Sequence, residues 1–233
     1  MREPEATPVT PASSGAGTAT LALFDLDGTL TRHDSLLAYL AGFVRRHPWR
    51  MLRLLRVLPV LAAFAFGRAD RGALKSAAIR AAMGGCTRSE IDGWTHEFVP
   101  LLLERGMHAD ALAAVAAHRR AGDHLVLLSA SPDLYVCELG HTLGFAHTVC
   151  TGVEWNGDRL GGRLTTPNRR DAEKVRCVAQ LRREHPALKM VAYGNAASDV
   201  DHLALADHGT LVNGSSAARR AAARLNIDCV TWR

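Results

Sequence analysis

Short apolar runs separated by helical stretches constrain the fold of this chain more than any other feature of its sequence. The runs occupy residues 21–26, 125–128, 190–193 and 210–212, and turn-forming residues follow each of them. Runs of this length with helices between them are typical of parallel strands that are buried on both faces. The sequence therefore predicts an α/β fold with a Rossmann-like parallel sheet and helices on both sides of it.

One long helical stretch interrupts this alternation. It covers residues 35–117, directly after the first predicted strand, and it predicts an inserted helical cap. The predicted core domain is then made of residues 20–34 and 118–233. Residues 1–19 are rich in Pro, Ala, Ser, Thr and Gly and contain no apolar run, which predicts a disordered tail and not a secretory signal.

Local signals predict two further elements of the core. Asn156-Gly157 is a strong two-residue turn signal, and it predicts a hairpin between strands at 149–155 and 159–164. A helix is predicted at about 171–184.

Charge and cysteine content narrow the classes of function. The formal net charge of +5 suits anionic substrates or surfaces, but it is too small to indicate a nucleic-acid partner. The five Cys residues are odd in number and contain no CxxC pair, which argues against a disulfide framework or a zinc site. A reducing compartment is the better match, so we expect a cytoplasmic protein without a nucleic-acid partner.

Two carboxylates lie at the end of the first predicted strand. Asp25 and Asp27 are two residues apart, so their side chains share a face. Clustered carboxylates repel each other unless a cation neutralises them, so a hard divalent ion is the natural companion. An aspartate can also attack phosphorus to form an acyl phosphate. For this pair alone, a turn with two solvated acids is the competing interpretation.

Two further segments with polar, potentially reactive side chains follow other predicted strands, at residues 129–131 and 194–199. Because ligands of open parallel sheets bind at the carboxyl ends of the strands, these segments and the two carboxylates are expected to form one site.

The pattern is longer than the two carboxylates and resembles a known family. Phe24-Asp25-Leu26-Asp27-Gly28-Thr29-Leu30 resembles the first signature of the haloacid dehalogenase superfamily. Ser129 resembles the second signature, Lys174 the third, and Gly194-Asn195-Ala196-Ala197-Ser198-Asp199 the fourth. The signatures occur in the order of the family, within residues 20–215.

The resemblance implies a Mg²⁺-dependent phosphatase with a division of labour among these residues. Asp25 is then the nucleophile and a metal ligand, and Asp27 is the general acid and base, with its backbone carbonyl on the metal. Ser129 donates a hydrogen bond to the phosphoryl group, and Lys174 offsets charge on the nucleophile and the phosphate. Asn195 and Asp199 complete the implied metal site.

Asn195 departs from the family pattern, because the fourth signature usually opens Gly-Asp and that Asp binds the metal. An Asn oxygen can coordinate Mg²⁺ but brings no net charge. The departure leaves open a weakly active relative that binds a phosphorylated ligand. A phosphotransferase that uses an alcohol in place of water also stays open.

The position of the insertion resembles that of subfamily IB, the phosphoserine-phosphatase-like members. This resemblance implies a small phosphorylated metabolite as substrate, with Asp34, Arg80 and Ala130 as substrate-binding residues. For Asp34 a helix cap is the competing interpretation, and for Arg80 a solvated surface charge.

Residues 45–66 combine basic and apolar side chains. Arg50, Arg53 and Arg56 lie three apart among apolar residues, and an apolar run too short to span a bilayer follows them. A basic amphipathic helix with Trp49 at its edge suits a membrane interface, and the segment resembles the cap of phosphatidylglycerophosphatase C. The alternative function is therefore a lipid-phosphate phosphatase, peripheral at the inner face of the membrane. The competing interpretation is that the apolar residues pack the cap while the arginines face water.

Overall fold

The computed structural model of the protein describes residues 19–233. The predicted disordered tail, apart from its last residue, lies outside the described residues. The described chain forms a layered α/β structure, which confirms the predicted fold class.

Strands form a six-stranded sheet and a two-stranded ribbon. In chain order they are β1 Thr20–Phe24, β2 His124–Pro132, β3 His147–Thr151, β4 Val153–Asn156, β5 Arg159–Leu164, β6 Lys189–Gly194, β7 His208–Val212 and β8 Asp228–Val230. The sheet order is β3-β2-β1-β6-β7-β8, and all of its neighbouring pairs are parallel. The chain leaves β1 toward one edge and returns beside it as β6, so a topological switch point lies between β1 and β6.

Helices fill the connections. They are α1 Ser35–Arg46, α2 Leu58–Ala65, α3 Arg71–Met83, α4 Arg88–Arg105, α5 Ala109–Ala121, α6 Asp133–Leu143, α7 Ala172–Glu184, α8 Val200–Leu203 and α9 Ser216–Arg224. A 3₁₀ helix spans Pro48–Val57, between α1 and α2. Each of the other helices buries some of its residues, whereas the 3₁₀ helix and α2 bury no residue.

The sheet separates two apolar cores. Leu21 and Leu23 of β1 pack on one side with α7, α8 and α9, and Ala22 and Phe24 pack on the other side with helices of the insertion and α6. Successive side chains of a strand point to opposite faces, so a strand buried on both faces is apolar throughout. This is why the first apolar run is uninterrupted.

The predicted hairpin needs a correction. Its first strand is not continuous over 149–155, because His147–Thr151 pairs with β2 as part of the parallel sheet. The antiparallel ribbon starts only at Val153, after Gly152, and joins β5. Strand β2 also continues beyond Leu128 to Pro132, with an irregularity in its register. The apolar pattern at 149–155 therefore belongs to two strands of different sheets.

Helices α1–α4 and the 3₁₀ helix form an insertion between β1 and β2. The ribbon packs closely on it: a Cβ at Gly162, where φ is +84°, would lie 3.0 Å from the backbone of Arg80 in α3. The predicted boundary at residue 117 falls inside α5, which runs from Ala109 to Ala121. The domain limits therefore stay a prediction.

Residues 45–66 are helical, but not as one amphipathic α-helix. The 3₁₀ helix is ten residues long, and α2 follows it directly. Runs of 3₁₀ helix longer than three or four residues are uncommon. Within residues 19–233 no helix is both long and apolar enough to cross a bilayer.

Candidate active site

The carboxyl ends of β1, β2 and β6 bring the predicted signatures together. Asp25 directly follows β1, and its backbone N–H donates to the carbonyl of Tyr193 in β6 at 3.0 Å. Ser129 lies within β2, which pairs with β1 on the other side. The predicted convergence at the sheet edge is therefore observed, and it lies at the switch point.

Asp25 is buried and held from two sides. Its Oδ1 accepts from Lys174 Nζ at 2.6 Å, and its Oδ2 accepts from Thr29 Oγ1 at 3.1 Å. Burial raises the pKa of Asp25 to about 7, although the Lys174 ammonium opposes that rise. Contact with a cation favours the carboxylate form, which is the form a nucleophile needs.

Asp27 has a different environment, made of hydroxyl groups. Its Oδ1 accepts from the backbone N–H of Ser35 at 2.6 Å and from the Ser35 hydroxyl at 2.5 Å. Its Oδ2 accepts from Ser131 Oγ at 2.6 Å. The Ser35 hydroxyl is in turn 2.7 Å from that of Tyr135. Burial raises the pKa of Asp27 despite these hydrogen bonds, which favours a carboxyl that can carry a proton.

Lys174 bridges two carboxylates. Its Nζ donates to Asp25 and, at 2.9 Å, to Asp199 Oδ1, and its side chain is 3% exposed. Burial alone would lower the pKa of Lys174, but the two carboxylates raise it above its ordinary value. Burial likewise opposes ionisation of Asp199, but the Lys174 ammonium holds the pKa of Asp199 below its usual range. The cluster therefore holds one ammonium between two carboxylates, so it keeps an excess of negative charge when both carboxylates are ionised.

Both carboxylate oxygens of Asp199 accept hydrogen bonds from other groups of the protein. Its Oδ2 accepts the backbone N–H groups of Asn195 and Ala196 at 3.1 and 2.9 Å, while its Oδ1 faces Lys174. His202 lies behind it with Nδ1 3.8 Å from Oδ1, and burial lowers the pKa of His202 to about 4, which keeps it neutral. The structure thus places Asp199 as a support of Lys174 and of the fourth-signature loop.

Asn195 lies against the first-signature loop. A Cβ at Gly28, where φ is +82°, would be 1.9 Å from Asn195 Nδ2, so only glycine leaves room for this amide. Within residues 19–233, no three His, Cys, Asp or Glu side chains form a metal-binding group. The residues that the resemblance assigns to the metal offer the Asp25 carboxylate, the Asp27 carbonyl and the Asn195 amide oxygen. Mg²⁺ is commonly held by one or two carboxylates with phosphate oxygens and water, so this set fits it.

The Ser129 hydroxyl is fully buried. Its oxygen accepts the N–H of Ser131 at 3.0 Å, which leaves the hydroxyl hydrogen for another acceptor. The carbonyl of Ala130 accepts from Thr151 Oγ1 at 2.7 Å and from Lys75 Nζ at 2.5 Å. Ala130 therefore contacts the insertion through its backbone.

Asp34 and Arg80 are two of the substrate-binding residues that the resemblance implies. Asp34 is exposed and caps α1 by accepting the N–H of Leu37 at 2.9 Å. Arg80 is exposed and lines a cavity of about 500 Å³ between α3 and the ribbon end. The competing interpretations, a helix cap and a surface charge, describe the contacts that are seen. A role in substrate binding stays a prediction for both residues.

Lys75 is a site residue that was not predicted from the sequence. It reaches from α3 to the Ala130 carbonyl and, at 2.6 Å, to Asn168 Oδ1. Burial lowers the pKa of Lys75 to about 8, with Arg170 adding to the fall and Asp27 opposing it. A signal was present: the chain has only three lysines, at 75, 174 and 189, among 28 basic residues. Two of these three lie at the site.

The missed hydroxyl residues had a weaker signal. Ser35 and Ser131 are ordinary residues of a helix start and a strand end, and only the folded arrangement turns both toward Asp27. Thr29 belongs to the first signature, but its contact with Asp25 was not predicted.

The class of protein follows from the fold, this ordered site and the sequence match together. Residues 22–204 match the family of haloacid dehalogenase-like hydrolases, and the chain belongs to that family. The resemblance predicted from the four signatures is confirmed.

Two relatives are similar over most of this chain. Protein CicA of Caulobacter vibrioides is 35% identical over 190 residues, which are 80% of this chain and 83% of CicA. A protein of Mycobacterium tuberculosis described as a probable phosphatase is 23% identical over 225 residues, 92% of this chain and 76% of the relative.

Solved structures show the same fold. A Bordetella pertussis protein of unknown function has a TM-score of 0.76 at 23% identity, covering 92% of this chain and 99% of its own. A substrate-bound phosphoserine phosphatase has a TM-score of 0.64 at 13% identity, covering 92% of this chain and 93% of its own. The fold is thus close to that of phosphoserine phosphatases.

Proposed function

We propose that the protein hydrolyses a phosphate monoester through an aspartyl-phosphate intermediate on Asp25. The observation that carries this proposal is the contrast between the two carboxylates. Asp25 faces the ammonium of Lys174, whereas Asp27 faces only neutral donors. Two nearby carboxyl groups in different environments can take different roles, one ionised and one able to carry a proton.

Asp25 attacks phosphorus, and the bond from phosphorus to the alcohol oxygen breaks. Asp27 gives its proton to the departing oxygen and later takes a proton from the water that cleaves the acyl phosphate. General acid–base help of this kind typically contributes ~10²–10⁴ in rate. Ser35 and Ser131 keep the Asp27 carboxyl in one orientation through both steps.

Charge on the transferred group is compensated by Lys174 and by the Ser129 hydroxyl hydrogen. Phosphoryl transfer depends mostly on positioning and electrostatic stabilisation, so a few fixed groups are sufficient. Because Lys174 is already held by Asp25 and Asp199, it needs no reorganisation when phosphate enters.

Members of this family generally depend on Mg²⁺, and we propose the same here. Asp25, the carbonyl of Asp27 and Asn195 would hold the ion, and Asp199 would support them from behind through Lys174 and two backbone N–H groups. The ion would supply positive charge to the phosphate oxygens. With one direct carboxylate, we expect weaker metal binding than an Asp at position 195 would give.

We propose a small substrate that carries a second negative charge in addition to its phosphate. Lys75 adds a positive charge beside the site. Arg170, which itself lies 3.7 Å from the Asp171 carboxylate, is close enough to lower the pKa of Lys75. Phosphoserine-like metabolites would satisfy the Lys75 charge with a carboxylate. A lipid phosphate is the second candidate, favoured by exposed apolar side chains on the 3₁₀ helix. The cytoplasmic location stays a prediction.

The experiment measures Mg²⁺-dependent phosphate release from phosphoserine, sugar phosphates, histidinol phosphate and phosphatidylglycerol phosphate. We expect one class to be hydrolysed and Asp25→Asn to abolish the reaction, while the exposed Asp158→Asn has no effect. Comparing phosphate with released alcohol separates hydrolysis from phosphoryl transfer to another alcohol. Activity retained by Asp25→Asn would refute the mechanism, and silence across the panel would favour the ligand-binding alternative.

A further inference from the structure

The insertion carries a concentrated apolar surface. Eight of the twelve exposed large hydrophobic side chains of the described residues fall within 49–66, so they form a patch and are not scattered. We call these eight residues the apolar face: Trp49, Met51, Leu52, Leu54, Leu55, Leu58, Leu61 and Phe66. The two helical elements that carry most of it bury no residue at all.

The 3₁₀ geometry explains why the apolar side chains align. With three residues per turn, side chains three apart lie in one row. One row holds Trp49, Leu52, Leu55 and Leu58, which are 65%, 76%, 60% and 55% exposed. It contains no polar residue, so it forms the outer ridge of the apolar face.

Two of the three arginines of the row, Arg50 and Arg53, are turned toward the protein. Arg50 donates to the carbonyls of Ala82 and Gly84 at 3.1 and 3.3 Å, and Arg53 donates to Gly84 at 3.0 Å. These carbonyls lie at the C-terminal end of α3, where backbone acceptors lack helical partners and positive charge is favourable. The competing interpretation of residues 45–66 is that the apolar side chains pack the cap while the arginines face water. It is wrong for the apolar side chains, which are exposed, and for Arg50 and Arg53, which contact α3. Two arginines fix the helix so that its apolar ridge points outward.

The surroundings of the apolar face are basic. Residues 35–69 contain six arginines and no Asp or Glu. Arg45, Arg56 and Arg68 are exposed, and none of the three lies within 4 Å of a carboxylate among residues 19–233. Their positive charges surround the ridge without compensation from nearby side chains.

We propose that the apolar face docks on an anionic phospholipid bilayer. Leu52, Leu55 and Trp49 would enter the region between headgroups and acyl chains, with the exposed arginines at the headgroups. A second copy of the chain fits less well, because two such faces would bring like charges together. The contact is interfacial, and it does not depend on the proposed reaction.

The test measures how the full chain sediments with vesicles of phosphatidylcholine alone and of phosphatidylcholine mixed with phosphatidylglycerol. We expect strong binding to the mixed vesicles only, weakening as salt is raised. Leu52→Gln with Leu55→Gln should weaken that binding at least about tenfold, because two apolar side chains no longer enter lipid. Arg56→Gln with Arg68→Gln should weaken it by about tenfold through lost headgroup attraction.

The matched control is Leu205→Gln with Leu225→Gln, two exposed leucines outside the apolar face, and it should bind like the unaltered chain. Thermal unfolding of each variant checks that it is folded, and the arginine pair tests the face without altering any apolar residue. Unchanged binding in both face variants would overturn the proposal. So would absence of vesicle binding together with a dimer in gel filtration that Leu52→Gln and Leu55→Gln dissociate.

Discussion

Two regions of the molecule depart from the usual arrangement of a folded protein, in opposite directions. At the sheet edge Asp25, Lys174 and Asp199 are buried, although ionised groups prefer water. On the insertion the apolar face is exposed, although apolar side chains prefer the interior. Burial of the charged groups opposes folding, whereas the exposed apolar side chains gain nothing from it, because they stay in water. We relate each arrangement to a partner outside the chain, and we propose a phosphate ester for the first and a bilayer for the second.

The two regions also differ in how they are assembled. The charged cluster joins residues that are 149 and 25 positions apart along the chain, so it exists only when the whole sheet forms. The apolar face comes from eighteen consecutive positions, 49–66, and depends on local helical geometry and two arginine contacts. Changes at the first region should therefore disturb stability and chemistry together, and changes at the second should disturb neither.

The largest effect is expected from Lys174→Met. It leaves two buried carboxylates without their cation and should lower the free energy of unfolding by about 3–5 kcal/mol. Lys189→Met is the matched control, because Lys189 is exposed, and it should change stability by less than about 0.5 kcal/mol. Urea unfolding measures both variants. Equal stability of the two would mean that the buried cluster does not contribute to folding.

Ser131→Ala should change the chemistry more than the fold. It removes a hydrogen bond that favours the ionised form of Asp27, so the pKa of Asp27 should rise further. Ionisation of Asp27 should determine one limb of the pH–rate profile, and that limb should move to higher pH. We also expect kcat to fall by about tenfold or more. The exposed Ser89→Ala serves as control, and a profile identical to that control would contradict the role given to Asp27.

Lys75 belongs to the insertion but contacts the site at the sheet edge, so its role can be tested through substrate binding. Its pKa of about 8 means that its charge is present at neutral pH and is lost as the pH rises through 8. The KM of an anionic substrate should therefore rise above that pH in the unaltered enzyme. Lys75→Met should raise KM by about tenfold at neutral pH with a smaller change in kcat. Lys75→Arg should abolish this pH dependence of KM. If KM is the same in the unaltered enzyme, in Lys75→Met and in Lys75→Arg, and does not change with pH, Lys75 does not take part in substrate binding.

The smallest effect is expected on the apolar face itself. Leu52→Gln with Leu55→Gln should change the free energy of unfolding by less than about 0.5 kcal/mol, because both side chains are already in water. Leu127→Ala, in the fully buried centre of β2, should cost about 2–5 kcal/mol. Calorimetry of the purified proteins compares them. A strong loss in the face variant would show that these leucines pack against something within the chain.

The sheet and the carboxylates at its edge could be predicted because their signals are local. A strand that is buried on both faces is apolar throughout, and chemistry at its end follows from the topology of parallel sheets. Asp25 and Asp27 were predicted in this way, whereas Ser129 and Lys174 were predicted from the resemblance to the family signatures.

The remaining parts depend on long-range geometry. An apolar segment at 149–155 does not reveal that Gly152 divides it between two sheets. Ser35, Ser131 and Lys75 gain their partners only when the insertion folds over the sheet edge. Spacing of three among Arg50, Arg53 and Arg56 fits an α-helix and a 3₁₀ helix equally, so the inward direction of Arg50 and Arg53 could not be predicted.

The contact between Gly28 and Asn195 has a consequence for how this active site can change over generations. A methyl group at position 28 would overlap the amide at 195, and φ at position 28 is +82°, which L side chains rarely adopt. Shrinking the side chain at 195 would remove the overlap but not the strain of the backbone. Replacing Asn195 by the isosteric Asp leaves the shape of the contact unchanged. An acid at position 195 is thus a single substitution, while a change at position 28 is opposed by the backbone conformation itself.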